Sequence, residues 1–175
     1  MINSPNIPKL VVLFAVAVLG QVLVFNNLHL FGFVNPYFYI VFILTLPFGT
    51  GRLPLMLWSF GLGLLIDLFC STPGMNAAAC TLIGFIRPYL IEATASTDDL
   101  QHDDLPTMGL MGPEWYLRYM LVLVLAHHLL LFVVEQFDAF HFWPMLLRIL
   151  TSSLVTMLTI LLAQLFLNSP KSWRD

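Results

Sequence analysis

The sequence has few charged residues, and this scarcity excludes several classes of protein. Only 10% of its 175 residues are charged, whereas 59% are hydrophobic and the mean hydropathy is +0.87. A water-soluble chain of this length needs a polar surface that so few charges cannot supply. The net charge of -3 also argues against the clustered Lys and Arg of a nucleic-acid-binding protein. The composition therefore indicates an integral membrane protein in contact with lipid, with no nucleic-acid partner.

Recognisable catalytic motifs are also missing. The chain contains no His-Glu-x-x-His pair, no Gly-x-Ser-x-Gly elbow and no phosphate-binding glycine-rich loop that ends in lysine. Gly61 and Gly63 resemble the start of the Gly-x-Gly-Asp motif of intramembrane aspartyl proteases, but Leu64 stands where that motif requires its acid. We therefore predict no enzymatic activity and no cofactor.

What the sequence does contain is long apolar runs. A bilayer core of about 30 Å requires roughly 20 apolar residues per crossing helix. The runs predict helices at about residues 8–30, 36–48, 53–70, 74–91, 114–137 and 142–167. The second is short, so it must thin the bilayer, tilt less than its neighbours, or lie partly inside the protein. We expect an all-α integral membrane protein in which residues 1–175 form one polytopic domain, a compact bundle of about six transmembrane helices.

The positive charges predict the orientation of these helices. Cytoplasmic ends of membrane helices carry an excess of Lys and Arg. With six crossings and a cytoplasmic start, only Arg148 lies toward the opposite side, and the cytoplasmic ends are flanked by Lys9, Arg52, Arg87, Arg118, Lys171 and Arg174. We therefore expect both termini to face the cytoplasm.

The largest polar segment is the predicted cytoplasmic loop at about residues 93–113. It carries one histidine and several acids, namely Asp98, Asp99, His102, Asp103 and Asp104. Such a loop suits a basic partner or a hard cation, but the ligand spacing of a calcium loop is not present. A solvated acidic linker is the preferred interpretation.

Three ionisable residues are predicted to lie inside the membrane, in the half opposite the termini. Asp67 lies about 5 Å below the end of the third helix, Arg148 lies about 9 Å into the sixth, and Glu135 lies near the end of the fifth. Intramembrane charges are costly and usually face other protein. We predict a polar lock in which Arg148 is held by Asp67 or by Glu135. The alternative is that each carboxylate reaches the interface and meets water.

Small residues at helical spacing predict close helix packing. Membrane helices associate where small side chains let their backbones approach. On the fourth helix such residues recur at intervals of three and four, namely Gly74, Ala77, Ala78, Thr81 and Gly84. The candidate positions for packing against a neighbour or a partner are Gly61, Gly63, Gly74, Ala78 and Gly84. A ligand cleft along these faces is the less favoured alternative.

Two histidines and two cysteines complete the candidate residues. His127 and His128 are adjacent on the fifth helix and point about 100° apart, so at most one faces a given cavity. A proton path or a metal site is possible in principle, but no third metal ligand is placed by the sequence. Neutral histidines hydrogen-bonded between helices are favoured, with no metal. Cys70 and Cys80 are predicted to remain free thiols.

One block of the sequence resembles a known family. The block reads Gly61-Leu-Gly-Leu-Leu-Ile-Asp67, continues through Pro73-Gly74, and ends in a small-residue helix at Leu82-Ile83-Gly84-Phe85. Asn35-Pro36-Tyr37 and Leu46-Pro47 precede it. These residues resemble the bacterial rod shape-determining protein MreD family, and the length and helix layout extend the resemblance to nearly the whole chain. The acidic loop is not a feature of that family.

The resemblance implies a function as well as a fold. It implies a non-catalytic subunit of the cell-elongation complex in the bacterial inner (cytoplasmic) membrane, which scaffolds or regulates peptidoglycan synthesis. The implied partners are MreC, the MreB filament, and the synthase pair of RodA and its class B penicillin-binding protein. A single-pass helix such as that of MreC would dock on the small-residue face, and Asp67 would fix a polar contact at the outer end.

The same resemblance leaves one alternative open. The MreD family is similar in fold to the substrate-binding subunits of energy-coupling-factor vitamin transporters, so substrate capture is the second expected function. Those subunits carry an Ala-x-x-x-Ala docking face on the first helix, whereas Ala15 and Ala17 here are two residues apart. This spacing favours the elongation-complex subunit.

Overall fold

The structure is a computed structural model that describes residues 7–28, 34–95, 104–136 and 141–167. Within these ranges the chain is all-helical and has no β-strand. Its helices are α1 Ile7–Leu23, α2 Ile40–Thr45, α3 Arg52–Cys70, α4 Met75–Thr94, α5 Met108–Met111, α6 Pro113–Glu135 and α7 Phe142–Leu167. One buried hydrophobic cluster draws residues from α1, α2, α3, α4, α6 and α7, so these six helices share a core.

Four helical segments are long and apolar enough to cross a membrane, namely Pro8–Asn27, Arg52–Cys70, Pro113–Glu135 and Phe142–Leu165. The chain is therefore a membrane protein built on a helical bundle. Helix α4 has 20 residues but includes Asn76, Arg87 and Glu92, and it is not among the four. Six crossings stay a prediction, as do the choice of membrane and the side on which the termini lie.

Helix α1 ends earlier than its apolar run predicts. It stops at Leu23 and is followed by a single 3-10 turn, Phe25–Asn27. The side-chain amide of Asn27 donates to the carbonyl oxygen of Leu23 at 2.9 Å. Asparagine competes with the helix for backbone hydrogen bonds in this way, so it ends the helix within an apolar segment. The end predicted near residue 30 lies outside the described residues.

Helix α2 corrects the sequence prediction more strongly. The expected helix at 36–48 is helical over only six residues, Ile40–Thr45, which span about 9 Å. All six are buried. Irregular backbone at membrane depth is tolerated where protein surrounds it and satisfies its polar groups. The sequence allowed a short second helix to thin the bilayer, to tilt less than its neighbours or to lie partly inside the protein. The structure shows the third arrangement, because all of α2 is buried.

Side chains from other helices satisfy the backbone at both ends of α2. Before it, the Gln21 amide donates to the carbonyl of Pro36 at 3.0 Å and accepts from the backbone N–H of Tyr39 at 3.3 Å. After it, Arg87 donates to the carbonyl of Leu46. Tyr119 donates its hydroxyl to the carbonyl of Leu44 at 3.0 Å. The broken helix is thus held by α1, α4 and α6.

Arg87 is not the loop-flanking charge that the sequence suggested. It is 1% exposed, and its Nε donates to the Tyr119 hydroxyl at 2.7 Å while that hydroxyl donates to Leu44. A cation near the last carbonyls of α2 also suits the negative end of that helix. Arg87 therefore stabilises the fold by binding Tyr119 and the carbonyl of Leu46. The predicted orientation of the helices in the membrane then depends on the other positive residues.

The bundle has two ends, which we name by a residue of α3. At the Arg52 end, exposed ion pairs join Arg52 to Glu92 at 3.0 Å and Arg118 to Glu114. At the Asp67 end, α3 turns into α4 through Ser71 and Gly74, which both have positive φ. Residues 96–103 of the predicted acidic loop, which include Asp98, Asp99, His102 and Asp103, lie outside the described residues. Asp104 is described, and its carbonyl accepts from the backbone of Phe48.

Candidate functional site

Asp67 caps the start of α4. Its Oδ1 accepts from the backbone N–H of Asn76 at 3.0 Å, and its Oδ2 accepts from that of Ala77 at 2.9 Å. Thr72 adds a hydroxyl donor to Oδ1 at 2.6 Å. The first N–H groups of a helix need acceptors and favour negative charge, but Gly74 at the N-cap has no side chain to offer. The buried carboxylate of Asp67, at the end of α3, therefore supplies the hydrogen-bond acceptors that a capping side chain would otherwise provide.

A directed chain of hydrogen bonds continues from this carboxylate into the core. The Asn76 side chain donates its Nδ2 to Asp67 Oδ1 at 2.9 Å, so its Oδ1 faces the opposite way. That oxygen accepts the Tyr39 hydroxyl at 2.7 Å. The Tyr39 oxygen lies 2.9 Å from Nε2 of His127, which must then be the donor. Donors therefore point from His127 to Asp67 along the whole chain.

His128 belongs to a second buried group that joins α6 to α7. Its Nδ1 lies 2.8 Å from the carbonyl of Val124, which can only accept, so the proton is on Nδ1. Its Nε2 lies 3.3 Å from the hydroxyl of Thr156, and that hydroxyl accepts from the backbone N–H of Tyr37 at 2.9 Å. Both histidines are thus hydrogen-bonded between helices. No group of three metal-ligating side chains occurs in the described ranges.

Of the two partners predicted for Arg148, the structure places Glu135 against it. Their Nη2 and Oε1 atoms are 3.1 Å apart, and the guanidinium carbon lies 4.6 Å from the centre of the Phe132 ring. The two side chains are only 24% and 36% exposed. Asp67 does not take this role, because its oxygens are engaged by Thr72, Asn76 and Ala77. The three residues of the predicted lock therefore form two separate polar groups: Arg148 with Glu135, and Asp67 with the start of α4.

Between these two groups lies a polar cavity of about 390 Å³ at the Asp67 end. Its polar wall residues are Gln21, Asn26, Asn35, Tyr37, Tyr39, Cys70, Thr72, Asn76, Glu135 and Arg148, and apolar side chains such as Ile66, Phe69 and Leu131 complete it. Pockets of roughly 300–1,000 Å³ with a few converging polar groups are typical of small-molecule sites. The cavity is therefore the first candidate functional site.

The small residues predicted for helix packing divide into two sets. Gly63 and Gly84 lie in the contact between α3 and α4. A methyl group added at Gly63 would lie 2.5 Å from the Ala77 Cα, and one added at Gly84 would lie 2.9 Å from the Ser59 Cβ. Both distances are shorter than a carbon–carbon contact allows, so these two glycines are required for the close approach of the helices.

Gly61, Gly74 and Ala78 form the other set, which faces outward. In the described part of the chain, no atom beyond the neighbouring residues and the backbone of the same helix lies within 4 Å of a methyl group added at Gly61 or Gly74, and Ala78 is exposed. Gly74 and Ala78 line an open apolar groove of about 620 Å³ on the surface of α3 and α4, which we call the α3–α4 groove. Its other lining residues are Met56, Phe60, Leu64, Ala77, Thr81, Leu82 and Phe85. It is the second candidate site.

Sequence reasoning missed the uncharged partners of the site. Gln21, Asn26 and Asn76 are the amides in otherwise apolar segments that line the cavity. The argument that selected Asp67, that a polar group inside a membrane needs a reason, applies equally to amides. Tyr39 had no such signal, because tyrosine is common at membrane interfaces as well as in cores.

Comparisons with protein-family models, with curated proteins and with solved structures find no match to this chain. A functional proposal therefore has two bases: the resemblance in the sequence, and the geometry of the cavity and of the groove.

Proposed function

We propose that this protein is a non-catalytic membrane subunit of the bacterial cell-elongation complex. In this role it scaffolds or regulates peptidoglycan synthesis and rod shape together with MreC. Its further partners are MreB, RodA and the class B penicillin-binding protein of the synthase pair. The membrane is the bacterial inner membrane, crossed six times with both termini in the cytoplasm.

The observation that carries this proposal is the α3–α4 groove. It lies on helices of membrane length, it is apolar along its course, and its floor includes Gly74 and Ala78. A partner helix can approach closely where side chains are this small. A single-pass helix such as that of MreC is therefore the proposed occupant, lying against α4 between Gly74 and Phe85.

The residues that carry the resemblance support the same proposal, because many of them hold the fold together. Gly63 and Gly84 set the distance between α3 and α4. Asp67 caps α4, and the carbonyl of Leu46 is bound by Arg87. These contacts give a structural reason for the glycines and for the acid on which the resemblance rests.

The groove is tested by filling it. Gly74 is unsuitable, because its φ of 79° strains any larger residue. Ala78→Leu places bulk in the groove on a regular helix, and Ala15→Leu is the matched control, since Ala15 is also an exposed helical alanine. We expect tagged MreC to recover Ala78→Leu at a several-fold lower level than the wild type or Ala15→Leu. Equal recovery of all three proteins would remove the groove from the interface.

The function itself is tested by depletion in the bacterium that encodes the protein. Loss of an elongation-complex subunit should turn rod-shaped cells round, and the wild-type gene should restore the rods. Unchanged rods after complete depletion would contradict the proposal, whatever the result with Ala78→Leu.

Substrate capture for an energy-coupling-factor transporter is kept as a second candidate, because the 390 Å³ polar cavity is an observation in its favour. Such a subunit needs an ATPase module to move its substrate. Co-purification with an ATPase module and not with MreC would replace the first proposal by the second.

A further inference from the structure

The wall of the cavity carries one cation and one anion side by side. Arg148 and Glu135 are joined by a single contact, between Nη2 and Oε1. Arg148 lines the cavity, and this one contact with Glu135 uses only part of the five N–H donors of its guanidinium. An anionic oxygen of a ligand that lies against this guanidinium in the cavity would therefore be stabilised.

The other acid near the cavity is not available to a ligand. Asp67 is 4% exposed and already accepts hydrogen bonds from the backbone of α4, from Thr72 and from the Asn76 side chain. Among the described residues, the charged side chains that line the cavity are Arg148 and Glu135, and their charges sum to zero. A ligand that matches them carries one negative and one positive group.

Amides and hydroxyls form the remainder of the polar wall. Asn26 and Asn35 line the cavity together with the hydroxyl-bearing Tyr37 and Thr72. These groups both donate and accept hydrogen bonds, as an amide or a hydroxyl of a ligand does. The volume of about 390 Å³ is near the lower end of the range for small-molecule sites.

We propose that this cavity is a water-accessible binding site for a small zwitterion of the amino acid or short peptide class. Its carboxylate lies against Arg148, its ammonium group lies against Glu135, and the amide wall binds the part between them. The cavity and the α3–α4 groove have no lining residue in common among those that the structure describes. Ligand binding in the cavity and docking of a partner helix in the groove can therefore be tested independently. Ligand binding alone does not assign the protein to transport, which the ATPase test decides.

The two cysteines of the chain give a direct assay. Cys70 lines the cavity and is partly exposed, whereas Cys80 is 0% exposed. In the purified full-length protein in lipid nanodiscs, a small neutral alkylating reagent should therefore modify Cys70 and leave Cys80 intact, as read by mass spectrometry. Failure of Cys70 to react in the native protein would overturn the proposal, because the cavity would then be closed to water.

Three probes of similar size separate the charges: glycylglycine is a zwitterion, N-acetylglycine is an anion and glycylglycinamide is a cation. We expect glycylglycine at millimolar concentration to slow the alkylation of Cys70 and to raise the unfolding temperature, since a ligand of the native state stabilises it by mass action. The anion and the cation should each bind about tenfold more weakly, which is the effect of one lost charge-assisted contact. No protection by any probe, or equal protection by all three, would overturn the proposal.

Variants of the charged pair complete the test. Arg148→Gln and Glu135→Gln should each weaken protection by glycylglycine about tenfold. Arg52→Gln is the matched control, because Arg52 forms an exposed pair with Glu92 at the opposite end of the bundle. Should Arg148→Gln unfold, Glu135→Gln still decides the question, since its side chain is more exposed. Protection that survives both substitutions at wild-type strength would contradict the assigned contacts.

Discussion

The two faces of α4 differ in how completely the rest of the chain covers them. On the inward face, Asn76, Gly84 and Arg87 are buried, and both polar side chains have hydrogen-bond partners. On the outward face, Ala78 and the residues around it form an open groove with apolar walls. A single stripe of small residues thus contains positions that build the fold and positions that the fold leaves uncovered.

This difference shows that residues in a membrane helix can be small for different physical reasons. Gly63 and Gly84 are small because another backbone or side chain of the same chain lies against them. Gly74 is different again, since its positive φ and not its neighbours require glycine. Spacing alone cannot distinguish these cases, but substitutions can.

The largest expected effect is at Gly63. Gly63→Ala places a methyl group 2.5 Å from the backbone of Ala77, which cannot move without separating α3 from α4. We expect a loss of about 3 kcal/mol in the free energy of unfolding. Gly61→Ala, on the same helix with open space around it, should be neutral or stabilise by up to about 1 kcal/mol. Denaturant titration in detergent measures both, and equal stabilities would contradict the close contact.

Asp67→Asn should have the next largest effect. The amide keeps the shape of the carboxylate but loses its charge, and its NH2 group must face at least one of the donors from Thr72, Asn76 or Ala77. We expect a loss of about 2 kcal/mol from the start of α4. Glu135→Gln is the matched control and should cost about 1 kcal/mol or less, because its ion pair is partly solvated. A larger loss at Glu135 would reverse our ranking of the two acids.

A smaller effect is expected from Tyr39→Phe. The change removes the hydroxyl that joins Asn76 to His127 and leaves both groups without that partner. The expected loss is about 1 kcal/mol. Tyr89→Phe provides the control, since Tyr89 is 43% exposed and should tolerate the change. Identical unfolding curves for the two variants would show that the chain of hydrogen bonds contributes nothing to stability.

The smallest effect on stability is expected on the outward face. Ala78→Leu adds volume to open space, so its free energy of unfolding should stay within about 0.5 kcal/mol of the wild type. The same denaturant titration checks this value. A marked loss would mean that Ala78 belongs to the packed face, and the two-face comparison would fail.

Much of the fold was predictable where local signals act. Helices α3, α6 and α7 begin and end within two residues of the predicted bounds, because long apolar runs end there at polar or turn-forming residues. The end of α1 and the length of α2 were not predictable in this way. The length of α2 depends on Gln21, Arg87 and Tyr119, whose bonds to its backbone form only in the folded protein. The end of α1 depends on a local bond from Asn27 to Leu23, which the apolar run does not reveal.

The sequence identified several residues of the candidate site, but it did not determine which of them contact each other. Asp67, Glu135 and Arg148 stand out in an apolar chain, and Glu135 does lie against Arg148. Which acid meets the cation depends on how the helices are rotated, and that rotation is set by packing between distant segments. The role of Asp67 as a cap for α4 was masked because Gly74, at the N-cap itself, gives no capping signal.

The most direct test of the central claim, that the outward face of α4 receives a partner helix, is disulfide cross-linking in the membrane. Ala78→Cys and Ala15→Cys are each made in a Cys70→Ser background and paired with single cysteines along the membrane helix of MreC. We predict cross-links from Ala78→Cys that recur every three to four positions on MreC, the period of a helix, and none above background from Ala15→Cys. Cross-links from Ala15→Cys alone, or none from Ala78→Cys, would contradict the claim.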